Sequence, residues 1–206
     1  MSVDTMLAEI KEKGRSLADF KKGDTIHVSN KMVKEYSYVL SESPGTELAF
    51  KPYSTPGEIL AMGAFEGKYL NDCIGEFPSE WYAGAIALDK LRPEGADVSV
   101  NAFGVGSRQP LNAWRKAGWV PGGGKDKRFG VLSSPTKNPD ERGWFQWYCR
   151  YWMGRRLPEL DEIQMKRWRA FTRHAGQIRA NCKPGDLTCR PVQRQALLQW
   201  AHNPFI

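Results

Sequence analysis

One stretch restricts the fold more than any other: Arg142-Gly-Trp-Phe-Gln-Trp-Tyr-Cys-Arg-Tyr-Trp-Met-Gly-Arg-Arg156. Asn138-Pro139-Asp140-Glu141 precede it with the marks of a helix start: an Asn cap, a Pro at the first position and a Glu at the third. The helix is expected to run to Met153 and stop at Gly154. At about 100° per residue, Trp144, Trp147, Tyr148 and Tyr151 share one broad face, and Phe145, Cys149 and Trp152 fall on another. A helix apolar nearly all round has to be covered on most sides. Most of these rings therefore read as core. The alternative leaves one or two of them, Trp144 first, as base-stacking platforms beside Arg142, Arg150, Arg155 and Arg156.

Two further helices are expected after it, one opened by Pro158 and extending to about Asn181, one opened by Pro191 and ending near His202. In the first, Trp168, Phe171, Ala175 and Ile178 repeat at helical spacing and should face the core. Lys166, Arg169 and Arg173 line another side, flanked by Arg167 and His174, and Arg194 is expected to extend the patch. Charge supports that emphasis. The chain has a formal net charge of +7 in 206 residues, and all of it lies after Asp140, where 12 Lys and Arg face 5 Asp and Glu. A basic, aromatic-rich helical segment points to a polyanion, most often nucleic acid. A bland solvated face is the competing reading of the same row.

The fold class read from the chain is α+β. Residues 1–54 form an N-terminal extension, 55–137 a mixed part and 138–206 the basic three-helix part, with a single compact domain as the alternative. Residues 3–13 read as a short amphipathic helix. Residues 35–41 and 46–53, either side of Ser43-Pro44-Gly45, read as a hairpin, and 97–105 as a strand. Thr55-Pro56-Gly57-Glu58 is a capping box. Short helices are expected from Pro78 to Leu88 and over Leu111–Ala117. Residues 121–138, dense in Gly, Pro, Ser and Lys, read as an exposed linker. Gly122-Gly-Gly-Lys125 lacks the spacing of a phosphate loop.

Lys68-Tyr69-Leu70-Asn71-Asp72-Cys73 gathers an amine, a phenol, an amide, a carboxylate and a thiol on one loop. An ordinary Asx turn is one reading. The other is an active site, with Asp72 as general base and Lys68, Tyr69 and Asn71 around it. Cys182 and Cys189 read as buried free thiols behind a turn, with pairing or metal binding as alternatives. No cofactor is expected and no metal centre, since only three histidines are present. Scattered cysteines and a polar N-terminus without a secretory leader suggest a reducing, cytoplasmic setting. No apolar run is long enough for a membrane span.

Thr55–Cys73, Glu76-Phe77-Pro78, Asn101–Val105, Arg142–Arg156 and Arg194–Trp200 together resemble a family of hypothetical proteins from phage and microbial genomes. The resemblance covers roughly residues 55–201. It implies no activity and transfers no site residue, though phage-type company favours work on nucleic acid. The leading expectation is therefore a nucleic-acid-binding protein, with DNA as the polymer. An enzyme acting on a base or nucleotide is the second reading, and a protein–protein module inhibiting a host factor the third.

Overall fold

A computed structural model describes residues 1–32, 35–122 and 130–206. The aromatic-arginine stretch forms its axis. Helix α6 (Trp144–Trp152) is buried from Trp144 to Tyr151, as a helix ringed with aromatics must be. Around it lie α1 (Val3–Lys13), a two-stranded antiparallel ribbon of β1 (Thr25–Val28) and β2 (Tyr36–Val39), α2 (Pro56–Met62), α3 (Ser79–Ala87) and α4 (Leu111–Lys116). The one-turn α5 (Gly130–Ser133) and then α7 (Pro158–Phe171), α8 (Arg173–Asn181) and α9 (Pro191–Gln199) complete it. The α+β class holds. One core cluster takes in Met6, Ile26, Ile59, Phe77, Trp147 and Leu198, so it draws on all three segments anticipated from sequence.

The local signals worked where they were self-contained. Thr55 and Glu58 make both bonds of the capping box, and Pro158 and Pro191 stand in the first turns of α7 and α9. The hairpin is a correction. Tyr36–Val39 pairs with Thr25–Val28, not with 46–53. The backbone around 46–53 bonds elsewhere: Gly45 N–H donates to Trp152 O (2.9 Å) and Tyr53 N–H to Ala201 O (2.7 Å). Residues 97–105 are not a strand either, because Asp97 Oδ1 accepts from Ser99 N–H at 2.9 Å and turns the chain into a short 3₁₀ segment. Four helices, not three, follow Asp140, since the expected helix 158–181 is interrupted at Thr172, whose hydroxyl donates to Arg169 O at 2.8 Å. Of the expected linker, 123–129 lie outside the described residues, Gly124 and Lys125 among them. The remainder is anchored: Leu132 is buried, and Asn138 Nδ2 donates to its carbonyl at 2.7 Å. No described helix is long and apolar enough to cross a membrane.

Candidate nucleotide-binding groove

The expected active-site loop is a brace. Asp72 accepts two hydrogen bonds from Arg142, both 2.8 Å, and a third from Lys31 N–H at 2.9 Å. Burial alone would raise its carboxyl, but the Arg142 guanidinium and the Lys31 N–H outweigh burial and hold it below the usual carboxylate range. With both oxygens engaged, it is not placed to act as a general base. The Tyr69 hydroxyl donates to Arg142 O, and burial pushes its pKa far up. Asn71 Nδ2 donates to Gly67 O at 3.0 Å. Only Lys68 remains exposed, its Nζ 3.3 Å from Glu94 O.

The basic patch is likewise rearranged. Arg150 and Arg155 are fully buried and share Asp140: Arg150 Nη1 and Arg155 Nη1 each lie 2.8 Å from Oδ1, and Arg155 Nη2 lies 2.6 Å from Oδ2. Arg150 also pairs with Glu76 at 2.6 Å. Arg194 is fully buried too, donating to the carbonyls of Cys189, Asp186, Pro204 and Ile206. None of the three can reach a phosphate, because each guanidinium is already enclosed by acceptors. Arg142 is held by Asp72, and Arg156 lies on the Tyr151 ring, donating to Tyr151 O at 2.6 Å. Lys166 pairs with Glu162 at 2.7 Å. Arg169 and Arg173 are exposed and have no ion-pair partner among the described residues. The expected strip therefore shrinks to these two and their neighbour Arg167.

Arg167 has a distinct setting. It is partly buried, donates to the neutral Gln164 Oε1 at 2.8 Å and sits 5.3 Å from the centre of the Trp200 ring. No carboxylate pairs with it among the described residues, and burial lowers its pKa to about 10. It lines a cavity of about 390 Å³ whose walls include Phe65, Trp114, Trp119, Trp144, Phe171 and Trp200. Arg173 lines the same cavity.

Packing sets those walls. Trp200 stacks on Trp144 (4.7 Å) and on Phe171 (4.4 Å), so its face is fixed from both sides. Gly143, with φ +81°, permits Trp114 to lie against the entrance to α6; a Cβ there would come within 2.9 Å of that ring. Phe65 and Glu66 adopt left-handed φ values of 53° and 58°, an arrangement that costs energy and often accompanies a binding site. Glu66 accepts from Ser107 N–H (3.1 Å) and Arg108 N–H (3.4 Å), which positions the segment carrying Gln109 into the cavity wall.

A second cavity of about 220 Å³ adjoins the first, with Phe65, Gln109 and Trp114 common to both. Lys68, Arg108 and Arg142 line it, with the Tyr69 ring. These shared walls join the two into an aromatic groove, with Arg167 and Arg173 in the lining of the first cavity and Lys68, Arg108 and Arg142 in that of the second. Its described lining contains no Asp, Glu, His or Cys. Sequence reasoning singled out Lys68, Tyr69, Arg142, Trp144 and Arg173 of this lining, and set Arg167 beside the basic row. It missed Trp114 and Trp119, and the signal for them was faint: two indoles bracketing Gly118 at the end of a short polar helix, with Trp119 44% exposed.

The expectation of free thiols at Cys182 and Cys189 is overturned. Lys183–Asp186 reverses the chain, bringing their Cα atoms to 5.8 Å, and the two form a disulfide. They are thus neither free thiols nor metal ligands, and the disulfide weighs against the reducing setting that the scattered cysteines suggested. Cys73 and Cys149 remain free and buried. The chain matches no family model, and no curated protein or solved structure is similar to it.

Proposed function

We propose that the protein binds nucleic acid, with DNA as the expected polymer, by seating unstacked bases in the aromatic groove while Lys68, Arg108, Arg167 and Arg173 meet the phosphates. One observation carries this reading: a groove walled by Phe65, Trp114 and Trp119 has guanidiniums without a described counter-charge in its lining and no carboxylate among its described lining residues. Aromatic faces accept any base, and stacking contributes roughly 1–3 kcal/mol per base. Guanidinium groups suit phosphate through their planar fork. Binding is favoured over base chemistry because Asp72, the carboxylate expected to act as general base, has both oxygens engaged by Arg142 and Lys31. We assign the exposed Arg169, on the same helix as Arg167 but outside the cavity lining, as a further phosphate contact.

Titration with an unphosphorylated oligothymidylate, followed by tryptophan fluorescence, tests the reading. Quenching is expected, with log affinity falling against log salt at a slope of about −3, since each phosphate contact on a single strand contributes roughly −0.7. No fluorescence change and no retention on single-stranded DNA at low salt would sink it.

A further inference from the structure

The larger cavity invites a narrower assignment, which rests on the groove reading above. We propose that it takes a nucleoside monophosphate group, free or at the end of a strand, with the phosphate monoester between Arg167 and Arg173 and the base against the tryptophans.

Charge matching is the first argument. The two guanidiniums line one cavity whose described lining has no acid. Other enclosed arginines have their charge met: Arg142, Arg150 and Arg155 by carboxylates and Arg194 by four backbone oxygens. Arg167 is the exception, with one amide oxygen and an indole face. A charge removed from water without a counter-charge is costly, so a bound anion relieves a penalty already present. Two fixed positive charges match a monoester, which carries about −1.5 to −2 near neutral pH. An internal phosphodiester carries a single negative charge.

Shape and donors agree. At about 390 Å³ the cavity lies near the small end of ligand pockets, room for one base with its sugar and not for a run of them. Gln199 Oε1 accepts from Phe65 N–H and Gln195 Nε2, at 3.3 and 3.1 Å. That leaves its own amide N–H₂ in the wall as a donor for a base carbonyl. The first turn of α6, which no side chain caps, lines the cavity as well and adds a favourable dipole end.

The test compares thymidine 5′-monophosphate, thymidine, inorganic phosphate, and 5′-phosphorylated and 5′-hydroxyl oligothymidylate, by fluorescence and calorimetry. The monophosphate is expected to bind at least about tenfold tighter than thymidine, the gain of one or two charge-assisted hydrogen bonds. The advantage should fade below about pH 6, where the monoester takes up its second proton. Arg167→Gln and the exposed Arg173→Gln should each abolish the preference for the monophosphate over thymidine; the second variant serves if the first fails to fold. Equal binding of monophosphate and thymidine, or a preference intact in both variants, overturns the assignment. So does competition by inorganic phosphate as strong as by the nucleotide. If only the 5′-hydroxyl oligomer binds, the assignment falls and the groove reading stands. If only the free monophosphate binds, the assignment stands and the nucleic-acid reading falls. If nothing binds, both fall.

Discussion

Arg150 and Arg167 belong to the same basic stretch of sequence and meet opposite surroundings. Arg150 is fully buried between Glu76 and Asp140, in a network that Arg155 closes and that the Tyr36 and Tyr38 rings cover. Two of its carboxylates come from before the basic segment, so the charge step along the chain is partly cancelled in space. Arg167 projects beside a cavity whose described lining holds no acid. A paired, enclosed guanidinium fixes the packing of elements distant in sequence; an unpaired one at a cavity is available to a ligand. Arginine content alone does not distinguish the two.

The largest expected effect breaks the first of these. Asp140→Asn leaves two buried arginines short of a counter-charge, and breaking a buried pair in this way costs about 3–5 kcal/mol. The melting temperature followed by circular dichroism should fall by roughly 10 °C; a fall of a degree or two would show that the network is incidental. The pH dependence has a definite sign. Burial would raise the Asp140 carboxyl, but Arg155 and Arg150 prevail and hold it below its ordinary value. Its contribution is thus complete above about pH 4 and is lost as the pH falls through the depressed value. Asp161, raised by burial despite its bond from Trp147 Nε1, acts in the other direction and favours folding as it protonates.

Arg142 is the intermediate case, paired with Asp72 at the edge of the smaller cavity. Asp72→Asn should cost about 2 kcal/mol through the loss of a charge-assisted pair, read from urea midpoints. It should also strengthen oligonucleotide binding, since Arg142 is released toward the groove. Loss of binding in a folded variant would instead revive a functional carboxylate.

Arg167→Met sharpens the contrast, because here the charge opposes stability. The ligand-free variant should be more stable by about 1 kcal/mol, with a melting temperature about 2–4 °C higher, while phosphate discrimination disappears. In the natural protein the penalty is fully present at neutral pH and lifts as the pH rises past about 10. A destabilised Arg167→Met would mean that the guanidinium is structural after all. The smallest effect belongs to Lys166→Ala. Its pair with Glu162 is exposed and screened by water, so both stability and binding should be nearly unchanged in the same melting and titration measurements.

The sequence by itself determined the elements whose causes are local. The capping box at Thr55–Glu58, the prolines that open α7 and α9, and the burial forced on a helix with rings on every side are all written within a few residues. The partners across the chain were decided only by tertiary structure. Residues 25–28 carry too short an alternation to announce a strand, and the pairing of Tyr36–Val39 with them depends on where α6 places Gly154, whose carbonyl accepts Ser41 N–H at 2.9 Å. The sorting of arginines into paired and unpaired was equally out of reach, because it turns on Glu76, Asp140 and Asp72 arriving beside Arg150, Arg155 and Arg142 and on no described acid arriving beside Arg167. Helix caps act between residues a few positions apart, whereas a counter-charge acts across space, and only the folded chain brings it within reach.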